Sequence, residues 1–198
     1  MKFNRSAIVF LLALSLIPVT ALHSQSPAVA DTAVTVETVN VIAGPEYAKG
    51  GLYTFFFGTG YRTLWTTPIR VEVLDLENFA GGLTFVELGG GEQTRSIEFR
   101  GADGREYNFR SINKDPSAVL PPQLRGTIAD EIVQDQISAA NPAGPLLAVP
   151  FLDAVGVLNA PPRFFVMPDS PLLGEHRAEF AGMLGTLEER PDEDPGYM

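Results

Sequence analysis

The chain of 198 residues contains no cysteine. That excludes thiol nucleophiles, cysteine-ligated metals, disulfides and the acylated cysteine of a lipoprotein. Histidine occurs only as His23 and His176, too few for a His-rich metal site, and there is no H-E-x-x-H helix. No G-x-S-x-G elbow is present, no serine stands beside a base, and no spacing of acids marks a glycosidase pair. The acidic run Asp192-Glu193-Asp194 lacks the spaced oxygens and central glycine of a calcium loop. No complete catalytic set and no metal site are therefore read from the chain. Positive charge is also scarce: 14 basic against 24 acidic side chains give a net charge of -10. A surface of that sign repels nucleic acid and anionic lipid over a Debye length of about 8 Å, which argues against nucleic acid as a partner. No apolar run reaches the roughly 20 residues of a membrane-spanning helix.

What is present begins with a leader. Lys2 and Arg5 precede an apolar run from Ala7 to Val19, the layout of a secretory signal peptide. Small residues at Val19-Thr20-Ala21 and at Ala28-Val29-Ala30 offer two cleavage sites, the first closer to the run. An uncleaved anchor is the alternative. The expectation is an exported bacterial protein, periplasmic or extracellular, that meets the membrane only transiently through its signal peptide. Removal of the leader takes away two basic residues and no acid, leaving -12.

The whole chain is 45% hydrophobic and 19% charged, with 19 glycines and 16 prolines. That composition predicts a globular α+β domain of short elements: a small twisted antiparallel sheet with a Gly-rich β-hairpin region and a few packed helices. The organisation expected is a signal peptide over 1–21, a linker over 22–44 that could include a loosely held first strand, a single domain over 45–191 and an exposed acidic tail over 192–198. Leu52, Phe55, Phe56, Tyr61, Leu64 and Trp65 fall at helical spacing around Gly58-Thr59-Gly60, predicting two short helices with an aromatic core face. Ile69 to Leu76 alternates as a half-buried strand. Ser96–Arg100 and Glu106–Ile112 flank the turn Gly101-Ala102-Asp103-Gly104, a strong hairpin signal that puts Ile97, Phe99, Tyr107 and Phe109 on one side. Thr127 to Ala140 reads as an amphipathic helix capped by Thr127, with Asp130 and Glu131 in its first turn and Ile128, Ile132, Val133 and Ile137 on one side. A second helix is expected over Ala148–Val157, a strand over Arg163–Met167, and helix or strand over Phe180–Leu187. His176, beside Glu175 and Arg177, reads as a solvated side chain.

The informative region is Gly81-Gly82-Leu83-Thr84 through Gly89-Gly90-Gly91-Glu92-Gln93-Thr94, followed by a hairpin ending in Arg110 and Lys114. Glycines without Cβ let backbone N–H groups approach a phosphate. A cation on the neighbouring strand could neutralise it, and Glu131 or Asp135 on the following helix could orient that cation. The candidate ligand-binding residues are thus Gly89, Gly90, Gly91, Thr94, Arg110, Lys114 and Glu131. The plain alternative is a pair of glycine turns in an ordinary sheet, since no G-x-G-x-x-G or G-K-[ST] match exists.

Three runs, Leu83-Thr84 to Arg95-Ser96, Phe109-Arg110-Ser111-Ile112-Asn113-Lys114-Asp115-Pro116 and Asp135-Gln136-Ile137-Ser138-Ala139-Ala140-Asn141-Pro142, with the closing Glu188-Glu189-Arg190-Pro191, resemble an uncharacterised family of secreted bacterial proteins. The resemblance covers about Tyr47 to Pro191. Longer members of that family look kinase-like, and the resemblance implies an amino-terminal kinase-like lobe: glycine-rich hairpin, cation strand, helix, then a hinge strand near Met183 to Leu187. No Asp-rich catalytic loop follows. ATP with Mg²⁺ is implied only through this family. The expectation is a catalytically incomplete domain, either a fragment whose partner is a missing carboxy-terminal lobe, or a binding domain. The rival expectation is a cell-envelope interaction module, docking a protein through the apolar surface near Tyr47–Trp65 or the last strand.

Overall fold

The computed structural model describes residues 36–89 and 93–190. The signal-peptide expectation, Gly90, Gly91 and the acidic tail lie outside the described residues.

Alternation of apolar and polar side chains builds the sheet. Strands β3 (Leu83–Gly89), β4 (Ser96–Gly101), β5 (Glu106–Ser111), β6 (Arg163–Val166) and β7 (Leu184–Arg190) form one antiparallel sheet in the order β3-β4-β5-β7-β6. Strands β1 (Thr38–Val41) and β2 (Ile69–Glu72) pair separately, and Val73, just past β2, makes a single parallel bridge to Val166 of β6. The chain is thus α+β, with two antiparallel sheets and a few helices. The hairpin stands as its sequence implies: Ile97 pairs with Phe109 and Phe99 with Tyr107. In its turn Gly104 takes φ +85°, a left-handed conformation that favours glycine. The Asp103 carboxylate accepts the Arg105 amide (3.0 Å) and the Tyr107 hydroxyl (2.7 Å).

One face of the sheet buries Leu83, Ile97, Phe99, Tyr107, Phe109, Phe165 and Leu187 against Leu74, Leu76, Met167, Leu173 and Phe180. The covering pieces are the 3₁₀ segment Pro171–His176 and the short helix α5 (Arg177–Phe180). A smaller cluster of Val71, Val166 and Leu184, with Val39, Val41 and Phe164 against it, ties the two-stranded sheet to the β6–β7 edge. The 22–44 segment is therefore not all linker: β1 belongs to the domain, which starts before Pro45, because Val39 and Val41 have apolar partners on β2 and β6.

The helices lie about where the sequence puts them: α1 (Gly51–Phe57), α2 (Arg62–Thr66), α3 (Ile128–Asp135) continued by the 3₁₀ turn Gln136–Ala139, and α4 (Gly144–Ala154). Thr127 caps α3, its hydroxyl accepting the Ala129 amide (3.2 Å). Burial departs from expectation. Trp65 is buried with Tyr47, but Leu52, Phe55, Phe56, Tyr61 and Leu64 are exposed, so the spacing expected to mark a core face marks a surface instead. Ile128 and Ile132 are likewise exposed, and α4 buries no side chain. His176 is not simply solvated. Its ring stacks on Phe85 with centroids 4.9 Å apart.

Gly185, the second residue of β7, shows how tightly the sheet and core are joined. A Cβ there would lie 2.7 Å from the Arg110 carbonyl oxygen and closer still to the Phe109 ring. Gly185→Ala is expected to destabilise the fold by about 1–3 kcal/mol through overpacking, seen as a lower urea midpoint with an unchanged m-value. An unaltered midpoint would show that the Phe109 ring yields freely.

Candidate functional site

The hairpin does not end where its regular ladder does. Beyond Ser96 and Ser111 the strands stay together irregularly: the Ser111 amide donates to the Arg95 carbonyl (2.9 Å), the Arg95 amide to Ser111 Oγ (3.1 Å), and the Asp115 amide to the Gln93 carbonyl (2.8 Å). This brings the residues that follow the glycine run opposite those after β5. Between them and α3 lies a hollow of about 270 Å³ lined by Gln93, Arg95, Ser111, Asn113, Lys114, Asp115, Gln134 and Met183.

Helix α3 closes the hollow through Gln134. Its Nε2 donates to the Lys114 carbonyl (2.9 Å) and to the Tyr47 hydroxyl (2.7 Å). Tyr47 in turn donates to Asn113 Oδ1 (2.8 Å), and Asn113 Nδ2 donates to Glu46. Burial pushes the Tyr47 phenol up to about 12. On the far side of Gln134 a second hollow, about 470 Å³, is lined by Glu46, Lys49, Tyr53, Asp130, Glu131 and Asp135 among others. Gln134 lines both.

The strongest contact behind this arrangement is a buried ion pair. Arg62 of α2 donates from both terminal nitrogens to the two oxygens of Asp135, each at 2.6 Å, and its Nε reaches the Gly58 carbonyl (3.2 Å). Both side chains are less than a tenth exposed. Hydrogen bonds from Arg62 hold the Asp135 carboxyl below the usual carboxylate range, against the opposing effect of burial. Two further bonds join the same elements: the Tyr61 amide to the Ser138 carbonyl and Trp65 Nε1 to the Ala140 carbonyl, both 2.8 Å.

The sequence-derived candidates separate on this framework. Lys114 lines the first hollow, and Thr94 sits between two of its lining residues in sequence. Gly89 ends β3 opposite Ser96. Arg110 alternates with buried Phe109 and Ser111, so it lies on the opposite, polar face between Ser96 and Thr186. It does not join Lys114. Glu131 lines the second hollow rather than the first, and Asp135 is engaged by Arg62. Sequence reasoning missed Arg95, Gln93, Asn113 and Gln134. The period of two held the clue for Arg95 and Arg110: with Ile97 and Phe109 inward, Arg95 falls on the Ser111 side and Arg110 does not. Gln134 carried no such signal.

The lining can hold an anion. Arg95 and Lys114 supply charge, and the Asn113 and Gln93 amides supply polar groups. Ser111 Oγ is taken up by the Arg95 amide, and Asp115 accepts the Ser117 amide (3.0 Å). Hydrogen bonds from Ser117 hold the Asp115 carboxyl below its ordinary range. Neither stands as an activated nucleophile or a free base. Compared with protein-family models, with curated proteins and with solved structures, the chain matches none.

Two measurements check this geometry. Asp135→Ala leaves the Arg62 guanidinium buried without its partner, and a loss of about 3–5 kcal/mol is expected in denaturant unfolding. Because the folded Asp135 carboxyl is depressed, its stabilisation is complete above the ordinary value of about 3.9 and is lost as pH falls through the lower folded value. The variant should lack that acid limb. For Tyr47 the sign is opposite. Its raised value gives stability that is present below pH 10 and lost as pH rises towards 12. A phenolate absorbance titration should contain a component near 12 that disappears in Tyr47→Phe, and its persistence would misassign the buried phenol.

Proposed function

We propose that this chain is an exported domain of kinase-like amino-lobe architecture that holds a phosphorylated ligand without transforming it. One observation carries the reading: the residues after the glycine run, the end of the cation strand and the following helix converge on one hollow, with Arg95 and Lys114 in its wall and Met183, just before β7, beside them. The order of parts supports it. A glycine run joins β3 to β4, Lys114 follows β5, α3 comes next, and β7 inserts beside β5 in the sheet. A kinase amino lobe shares the order of glycine loop, cation and helix, although Lys114 stands past β5 rather than on a strand and Glu131 lines the other hollow.

The size of the hollow sets the ligand class. At about 270 Å³ it falls below the roughly 300–1,000 Å³ of sites for whole drug-sized ligands, and it suits a phosphoryl group with the remainder of the ligand outside. Among the described residues the lining does not fit magnesium: a hard cation needs several oxygen ligands, and Asp115 is the one carboxylate they place there, already hydrogen-bonded to Ser117. Binding therefore rests on Arg95 and Lys114, and no step of phosphoryl transfer is assigned to this chain.

Isothermal titration with pyrophosphate, and with ATP and Mg²⁺, tests the proposal. Charge-assisted hydrogen bonds contribute about 1.5–3 kcal/mol each, so Lys114→Ala and Arg95→Ala are each expected to weaken binding about tenfold or more. Arg110→Ala, on the other face, should leave it unchanged. No heat with the unaltered protein, or equal heat for Lys114→Ala, would sink the reading.

A further inference from the structure

At the opposite end of the sheet from Lys114 lies a further hollow, of about 440 Å³. It opens onto the margin of the main core. Tyr107, Phe165 and Leu187 are buried there, and Phe79 stands edge-on to the rings of Tyr107 (5.4 Å) and Phe165 (5.8 Å). Pro161 and Leu158, the latter 95% exposed, line it from the loop before β6. That loop is braced: Asn159 Nδ2 donates to Asp153 Oδ1 (2.9 Å) and to the Val157 carbonyl (3.2 Å). The volume lies within the roughly 300–1,000 Å³ of small-molecule sites, which are mostly apolar with a few placed polar groups.

Here the placed polar group is backbone. The Met183 carbonyl accepts the Met167 amide, and the Leu184 carbonyl accepts the Ile112 amide. Peptide groups alternate along an antiparallel strand, so those of Gly185, Leu187 and Glu189 face β6 and those of Thr186 and Glu188 face β5. Gly185 and Leu187 meet Phe165 and Arg163 on β6. In the same register Glu189 would meet Pro161, which has no N–H and stands outside the strand. The N–H and C=O of Glu189 are therefore left side by side at the hollow, without a partner among the described residues. One residue of free edge does not seat an added strand, because loop residues 158–161 close the space alongside. It does seat a ring edge. The charges nearby are engaged: Arg163 lies over Phe165 (4.9 Å) and binds Glu72 (2.9 Å), and the Glu189 carboxylate binds Arg105 (3.0 Å). The lining offers no uncommitted cation to an anion, so a neutral ligand fits it.

We infer that this hollow binds a flat, neutral aromatic molecule with a hydrogen-bond donor and acceptor adjacent on one edge, as in a ring lactam. Its ring packs against Phe79 and Tyr107, and its edge pairs with the N–H and C=O of Glu189. From Met183, in the wall of the phosphoryl hollow, to Glu189 the chain rises about 20 Å at about 3.3 Å per residue. The site is thus separate and stands without the phosphoryl reading. The probe is carbostyril, a planar bicyclic lactam, titrated into the isotope-labelled full chain while backbone amide resonances are followed. Saturable shifts are expected at the Glu189 amide, with smaller ones at Tyr107 and Leu187, undisturbed by saturating pyrophosphate. Quinoline, which lacks the donor, should bind about two- to tenfold more weakly, the worth of one hydrogen bond. Leu158→Ala alters an exposed side chain and leaves the fold intact. It should weaken binding about threefold or more, the worth of one buried methylene. Phe56→Ala, at an exposed ring elsewhere, should change nothing. The inference falls if carbostyril shifts no amide at the hollow, or if quinoline binds equally well. It falls also if Phe56→Ala weakens binding as much as Leu158→Ala, which would make adsorption to exposed apolar side chains the cause. Displacement by pyrophosphate, with shifts at Arg95 and Lys114, would put the ring in the phosphoryl hollow and overturn the inference while sparing that reading.

Discussion

A helix whose one buried side chain is a carboxylate has to be held by that carboxylate. This is the condition of α3: Asp135 is buried, while Ile128 and Ile132 face outward. Apolar burial, which fixes most helices in proteins, contributes little here. The bidentate contact with Arg62 replaces it and sets the helix against α2. On the residue just before that carboxylate, Gln134 is aimed at Tyr47 and at the Lys114 carbonyl. Both hollows draw on this placement, because Gln134 lines each of them. The specificity gained is of the kind a buried polar group can confer, one register and no other, because any displacement leaves a charge without its partner.

The sheet rests on different physics and was far easier to read. A period of two is a property of neighbouring residues, so Ile97 and Phe99, then Tyr107 and Phe109, declare their shared face without knowledge of the rest of the chain. The Asp-Gly turn adds a backbone requirement that the sequence states openly. The helix cap at Thr127 was legible for the same local reason. What misled was helical spacing in α1 and α3. Spacing shows that apolar residues share a side; it does not show that the side is covered. Phe55 and Phe56 have the pattern of a core and the exposure of a surface.

The candidate site was half legible. Lys114 could be found because it lies just past the hairpin. Glu131 and Arg110 were placed by proximity in sequence, and the fold sent them elsewhere: Arg110 across the sheet by alternation, Glu131 to the other side of Gln134. The pairing of Arg62 with Asp135 spans 73 positions, and nothing local to either residue predicts it. Likewise the chain Gln134–Tyr47–Asn113–Glu46 draws on three separate stretches. Polar networks of this sort are assembled by tertiary structure and carry no periodic trace.

A net charge of -10 is at first sight incompatible with an anion site in such a domain, and the distances show why it is not. Charges beyond about 8 Å are largely screened at physiological salt, so most of the acids govern approach rather than hold. Within the hollow a phosphoryl group would meet Arg95 and Lys114 at contact, where an opposite charge at about 4 Å gives about 4 kcal/mol at an effective dielectric of 20. The local acids that compete are Asp115, in the lining itself, and Glu179, 3.5 Å from Arg95 in an exposed pair. Pairs of that kind contribute about 0–1 kcal/mol, so exchanging Glu179 for a ligand costs little. Lys114 makes no ion pair among the described residues and needs no exchange at all. The balance favours a site that binds at contact and attracts poorly from afar, and the burden of holding the ligand then falls on how firmly Gln134, and behind it the Arg62–Asp135 pair, keeps the wall in place.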